Sequence, residues 1–264
     1  PPPPPPPPPL PHTTLFRSLY RATSSQADLA IKFSVADERD RAGREYHALE
    51  ALAQTGLHIA PEPVYLDRQR YPQPVMVQSW LRGEVSASLP TSDDAWNDWL
   101  NNLVLTHTVT PETTTAPIRP AVLTAYDADE ATNLIWSHLA RLPHAECPDR
   151  LQALARVCGE TRYPDWCTPP PSLCHVDSNI RNFIRRPRNW AGVDWENSGW
   201  GDPAYEIADL TMHAAHIGIS DRRQEWIIDR YCKLAERPNA GVRIRTYRKT
   251  LAVWWSVRIF RYLY

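Results

Sequence analysis

The sequence predicts an α+β chain in two unequal parts, a small mixed sheet-plus-helix part at the N-terminal end and a larger, mainly helical part after it. Three observations carry this. Strand-like alternation is found before residue 82, helical periodicity dominates after Ser92, and acidic and amide residues between Leu173 and Asp209 are separated by short apolar runs.

Pro1 to Pro9 is an unbroken proline run, which lacks N–H donors and favours an extended, solvated polyproline segment. Around Leu15 to Ala22, Thr13, Thr14 and Ser18 are the residues that could offer small hydroxyl side chains. Leu29, Ile31 and Phe33 alternate with Ala30, Lys32 and Ser34, the period of a half-buried strand, so Lys32 points away from the bulky apolar set. Asp37 to Ala53 reads as a helix, with Ala42, Glu45, Leu49 and Leu52 on one face. A carboxylate on that stripe is costly unless a cation meets it, and Lys32 is the nearest candidate. Val75-Met76-Val77 is a strand, Gln78 to Leu81 a connection, and Gly83 lets the chain turn.

Ser92-Asp93-Asp94 starts a helix that carries Trp96, Leu100, Leu103 and His107, the histidine reading as a core or helix-end residue. Pro111 to Pro120 is a Thr- and Pro-rich loop. Asp127 to Leu142 and Pro148 to Cys158 follow helical spacing, and Tyr163 to Pro171 breaks it. After the acidic segment, Pro203 to Ala215, Asp221 to Ala235 and Val242 to Leu263 are helical in pattern, Pro203 fitting a first turn. No repeat of 20 to 50 residues is apparent.

The chemistry is concentrated in one stretch. His175, Asp177 and Asn182 form H-x-D-x-x-x-x-N, Phe183-Ile184 can re-enter a sheet, and the run Trp190 to Val193 ends at Asp194. Phosphoryl transfer needs one carboxylate beside an acceptor hydroxyl and oxygen ligands for magnesium, and two short strands ending in Asn182 and Asp194 would aim such ligands into one cleft. Singly, an Asp or Asn in a loop more often caps a turn or helix; the joint spacing with Gly201-Asp202-Pro203-Ala204-Tyr205 argues otherwise.

On those residues, His175-Val176-Asp177 to Asn182, Val193-Asp194-Trp195-Glu196 and Gly201 to Ala208, the chain resembles the aminoglycoside phosphotransferase and choline kinase-like family. The resemblance implies a protein-kinase-like two-lobed fold. Asp177, with His175 beside it, would be catalytic, Asp177 as the base. Asn182 and Asp194 would ligate Mg2+, and Asp202 would buttress the loop. Lys32 and Glu45 would anchor ATP, with Gln78 and Trp80 in an adenine-binding hinge. Trp195, Glu196 and Glu206 would belong to the substrate side, where carboxylates and some of the 11 tryptophans, Trp254 and Trp255 among them, suit a cationic amine or amino sugar. The bland reading of those tryptophans is core packing. The lobes would be a Pro-rich tail at 1–11, expected to be disordered, an ATP-binding lobe at 12–82, and a catalytic and substrate lobe at 83–264.

The expected activity is transfer of the γ-phosphate of ATP to a hydroxyl of a small metabolite or antibiotic, a cationic one being the class that the aromatic and acidic residues suit. Two departures from the family pattern bear on it. Val176 stands where the family has Gly, and a β-branched residue is expected to hold an ordinary extended conformation there. The first glycine is Gly43, so no glycine-rich phosphate loop precedes Lys32. That leaves open an incomplete N-terminal lobe, binding with fewer contacts, or a nucleotide- or metabolite-binding pseudoenzyme.

Composition narrows the rest. With 264 residues, 42% of them hydrophobic, the chain can bury one or two substantial cores. A net charge of −1 gives no electrostatic case for nucleic acid, and Arg185 to Arg188 and Arg243 to Lys249 read as solvated faces. Five cysteines without C-x-x-C spacing indicate neither a disulfide framework nor zinc, consistent with a cytoplasmic location. No apolar run approaches a membrane span or a signal peptide. The oligomeric state is not legible.

Overall fold

The computed structural model describes residues 18–142, 147–187 and 189–263; the proline run, Thr13, Thr14 and Arg188 lie outside them. The N-terminal part is a four-stranded antiparallel sheet in the order β1-β2-β4-β3, built from β1 (Ser18–Thr23), β2 (Asp28–Phe33), β3 (Pro63–Asp67) and β4 (Val75–Ser79), with helix α1 (Arg41–Gln54) between β2 and β3. Register places Leu19, Lys32, Met76 and Leu66 in one cross-strand row and Arg21, Ala30 and Gln78 in the next, all on one face. The opposite face carries Tyr20, Ile31, Val77 and Tyr65.

The alternation in β2 is as expected, but the deeper face is the unexpected one. Ala30 and Ser34 are buried, while Leu29, Ile31 and Phe33 are half-buried, because α1 and the following cleft cover the Ala30/Lys32 side. Helix α1 begins four residues later than its sequence pattern indicates, after Asp40 in a left-handed conformation. Its buried stripe of Ala48, Leu49 and Leu52 packs with Met76 and also with Leu173 and Trp195. The core under the small sheet therefore continues into the helical part.

Gly83 turns the chain after β4 at φ +150°, where any Cβ would collide with the Arg185 carbonyl. A short strand β5 (Glu84–Val85) then leads to α2 (Asp93–Thr106), which starts where Ser92 accepts the Ala95 N–H. Helices α3 (Ala128–Leu139) and α4 (Asp149–Glu160) follow, then β6 (Ser172–Cys174), β7 (Phe183–Arg185), β8 (Trp190–Gly192) and β9 (Gly199–Gly201). Strand β7 pairs with β8 and β5, and β6 with β9. Helices α5 (Pro203–Met212), α6 (Asp221–Leu234) and α7 (Ala240–Leu263) close the molecule around Trp96, Trp99, Ile207, Tyr231 and Tyr247.

The expected Arg243 to Lys249 solvated face is corrected in part. Arg243 bonds Asp202 at 2.9 Å, Arg245 bonds Glu225 and Asp229, and Arg248 bonds Glu225 and Gln224. The described cysteines are all free thiols, and no helix among the described residues is long and apolar enough to cross a membrane.

Candidate active site

A cleft of about 930 Å³ separates the inner sheet face from β7 and the residues after β8. Its roof is Leu19, Arg21, Ala30 and Lys32; Gln78 to Gly83 form one wall, and Asn182, Ile184, Val193 and Asp194 the floor. Ser18 lies at its edge.

The floor is built by the β7–β8 hairpin. Phe183 opposes Gly192, and the Val193 N–H donates to the Asn182 carbonyl at 2.8 Å, which holds the residues flanking both strands side by side. Asn182 Nδ2–H donates to the Asp177 carbonyl at 3.3 Å, leaving Oδ1 as the atom for a cation. Asp194 stands at φ 66°, a conformation that an aspartate tolerates better than most residues. Lys32 Nζ joins roof to floor. It donates to both oxygens of Glu45, at 2.7 and 2.6 Å, and to Asp194 Oδ1 at 3.1 Å. Burial pushes the Lys32 amine down, but the charges of Glu45 and Asp194 outweigh that and leave it above its ordinary value, a fixed cation at neutral pH.

The loop carrying Asp177 is held from below. Val176 has φ 62°, so the expected extended conformation is wrong: the loop keeps the left-handed geometry that glycine would hold. Glu206 explains how. Its Oε1 accepts the Val176 N–H at 2.8 Å, and its Oε2 accepts His107 Nε2–H at 2.7 Å, while His107 Nδ1 accepts the Tyr231 hydroxyl. Burial raises the Glu206 carboxyl, yet the hydrogen bond from His107, with that from the Val176 N–H, brings it below the ordinary range. Cys174, a potential third ligand near His107 and Glu206, is pushed well up by burial and stays a thiol. With both His107 nitrogens and both Glu206 oxygens occupied, this cluster is a hydrogen-bond network.

Several site expectations are corrected by burial. His175 is 1% exposed, donates Nε2–H to the Val193 carbonyl at 2.8 Å and packs edge-on against Trp195. It positions the loop. Trp195 is equally buried in the core and donates to the Gly192 carbonyl; Glu196 pairs with Arg41 at 2.7 Å; Glu206 lies under the loop. None of the three faces the cleft, because each is needed to hold the segments around Asp177 and Asp194. Trp80 lines the cleft, but its backbone N–H already donates to the Asp28 carbonyl, extending the β2–β4 pairing. Gln78 lines the wall of the cleft but is 5% exposed, and its Oε1 is buried without a hydrogen-bond partner among the described residues. Asp202 is fully buried, caps α5 through the Ala204 N–H, and is bound by Arg243 and Tyr247.

On the far side of Asp177 stands a group that sequence reasoning did not assemble. His213 Nε2 is 3.8 Å from Asp177 Oδ1, and the His213 ring packs against Trp255, whose Nε1–H donates to Asp209 at 2.8 Å. Burial pushes Asp209 up to about 7 and His213 down to about 4. A histidine just after the last turn of α5 has no distinguishing sequence signal.

The donor set fits magnesium. One carboxylate and one amide oxygen flank the cleft floor, which is the hard-oxygen pairing that Mg2+ accepts together with phosphate oxygens.

Residues 8–241 match the model of the phosphotransferase enzyme family. No curated protein matches the sequence. Among solved structures, a choline/ethanolamine kinase family protein from Mesorhizobium loti superposes with a TM-score of 0.63 at 19% identity, covering 95% of this chain and 81% of that one. The choline kinase of Streptococcus pneumoniae gives 0.58 at 16%, covering 93% and 81%. Aminoglycoside 2′-phosphotransferase-IIIa, solved with GDP, gives 0.60 at 15%, covering 94% and 82%. At these identities the likeness shows the fold, which is protein-kinase-like.

Proposed function

The chain belongs to the phosphotransferase enzyme family, and we propose that it transfers the γ-phosphate of ATP to a hydroxyl of a small molecule, residues 12–82 serving the nucleotide and 83–264 the acceptor. The carrying observation is the convergence of Lys32, Glu45 and Asp194 at hydrogen-bond distance, with Asn182 beside Asp194 and Asp177 on the same loop. In this reading Lys32 holds the nucleotide phosphates and Glu45 fixes Lys32. Gln78 and Trp80 line the wall where the base would lie. Asn182 and Asp194 hold Mg2+, which when bound neutralises phosphate charge.

Asp177 orients the acceptor hydroxyl and receives its proton. The hydroxyl oxygen bonds to phosphorus, the bridging P–O bond breaks, and its electron pair leaves with ADP. His213, neutral near pH 7, leaves the Asp177 carboxylate without a competing cation.

Asp177→Asn tests this reading. Turnover should fall roughly 10²–10⁴-fold while Mg-ATP affinity, measured by calorimetry, stays within about twofold. Undiminished turnover would remove Asp177 from the role of base. A wild-type protein that binds Mg-ATP but phosphorylates nothing in a broad hydroxyl library would instead be a nucleotide-binding pseudoenzyme.

A further inference from the structure

The acceptor side of Asp177 ends in a cation that the chemistry above does not use. The Arg258 guanidinium lies over Trp254 and Trp255, 5.2 and 5.5 Å from their ring centroids. Trp255 packs against His213 at 4.8 Å, and His213 stands beside Asp177. Two rings, Trp255 and His213, therefore stand between Arg258 and the carboxylate that receives the acceptor proton in the reading above. It is exposed, and among the described residues no carboxylate pairs with it.

Two consequences follow. The indole faces that a cationic acceptor would need already carry a cation, and the carboxylates that would attract one are engaged: Glu196 by Arg41, Glu206 by His107 and Val176, Asp209 by Trp255. A guanidinium held beside ring faces, in contrast, meets no acceptor there, so its N–H groups can serve a planar anion. Asp209, raised to about 7 by burial, offsets that cation only in part near neutral pH.

We propose that Arg258 selects the acceptor, a hydroxyl compound that also carries an anionic group, and that this group pairs with Arg258 while the hydroxyl meets Asp177. The proposal rests on the kinase reading.

Matched acceptors test it: glycerate, glycerol 3-phosphate, glycerol and 3-amino-1,2-propanediol, then glucuronate, glucose and glucosamine. Each is assayed with Mg-ATP for wild type, Arg258→Gln and Arg258→Lys. An anionic member of a set should show kcat/KM at least about 10-fold above its neutral and amino counterparts. Arg258→Gln should raise its KM about 10- to 100-fold, leave the KM for ATP unmoved, and be partly rescued by Arg258→Lys. Preference for the carboxylate over the phosphate, or the reverse, identifies which anion the site takes.

Equal or better use of the amino compounds, or an anion KM unchanged in Arg258→Gln, overturns the proposal and leaves the kinase reading intact. If no compound is phosphorylated, the broad hydroxyl library decides the kinase reading, and titration of glycerate and glucuronate into protein loaded with magnesium and a non-hydrolysable ATP analogue decides the anion site. Arg258-dependent binding there sustains the anion site; its absence overturns it.

Discussion

Val176 shows how a single residue can hold a conformation its side chain disfavours. A β-branched residue at φ 62° costs on the order of 1–3 kcal/mol, and the Glu206 carboxylate under its N–H holds it there. Val176→Gly removes that strain. Denaturant unfolding should show the variant about 1 kcal/mol more stable than wild type, although glycine ordinarily destabilises. A loss of stability would mean that the valine side chain contributes more by packing than its backbone costs. The sequence marks this position as a departure, but the sign of φ was not readable from it. Local preference argued for an extended residue, and a carboxylate 30 positions downstream overruled it. The same holds for Glu206 and Glu196. An acid near a catalytic motif looks like a substrate contact until its long-range partner, His107 or Arg41, is seen.

Among elements, α1 joins the two parts of the molecule. Glu45 reaches Lys32, while Arg39, Arg41 and Arg44 reach Asn197, Glu196 and the Ser198 carbonyl in the segment after Asp194. The Lys32–Glu45 pairing was legible, because a strand period and a helix stripe each place one charge and burial demands that they meet. The arginine contacts were not, since charges at a helix start look solvated without their partners. Glu45 is 1% exposed, so Glu45→Gln should cost about 3–5 kcal/mol. The double variant Lys32→Met with Glu45→Leu should recover part of that stability but no turnover. Additive losses in a thermal-unfolding cycle would show that the pair is not coupled. Glu196→Gln should raise the KM for ATP several-fold and leave the acceptor KM unchanged, because α1 carries Glu45 and hence the position of Lys32. An effect on the acceptor alone would return Glu196 to the substrate side.

Across the whole molecule, the helices were readable from periodicity and start signals, and Ser92, Asp127, Asp202 and Ser220 each accept an N–H at the start of a helix, as their residue types favour; the short strands β3, β5, β6 and β9 were not, being too brief to show a period. Tertiary burial was less readable, and it decides the pH response. Asp209 is 6% exposed, and burial raises its carboxyl to about 7 from an ordinary value of 3.8, against the lowering effect of the Trp255 N–H. Between those limits the folded protein holds a proton that the unfolded chain has released, so unfolding releases it and stability falls as pH rises from about 4 to 7. Glu206 acts in the opposite direction: its carboxyl is lowered, and its contribution is lost as pH falls below the ordinary carboxylate value. A comparison with Asp209→Asn isolates the first effect, because the amide oxygen can still accept the Trp255 N–H while carrying no titratable proton. The two proteins should be equally stable near pH 4. By pH 8 the variant should be more stable by an amount on the order of a few kcal/mol, seen as a rising difference in urea midpoints. A difference that stays constant across that range would show that Asp209 ionises normally and that its burial is relieved by solvent.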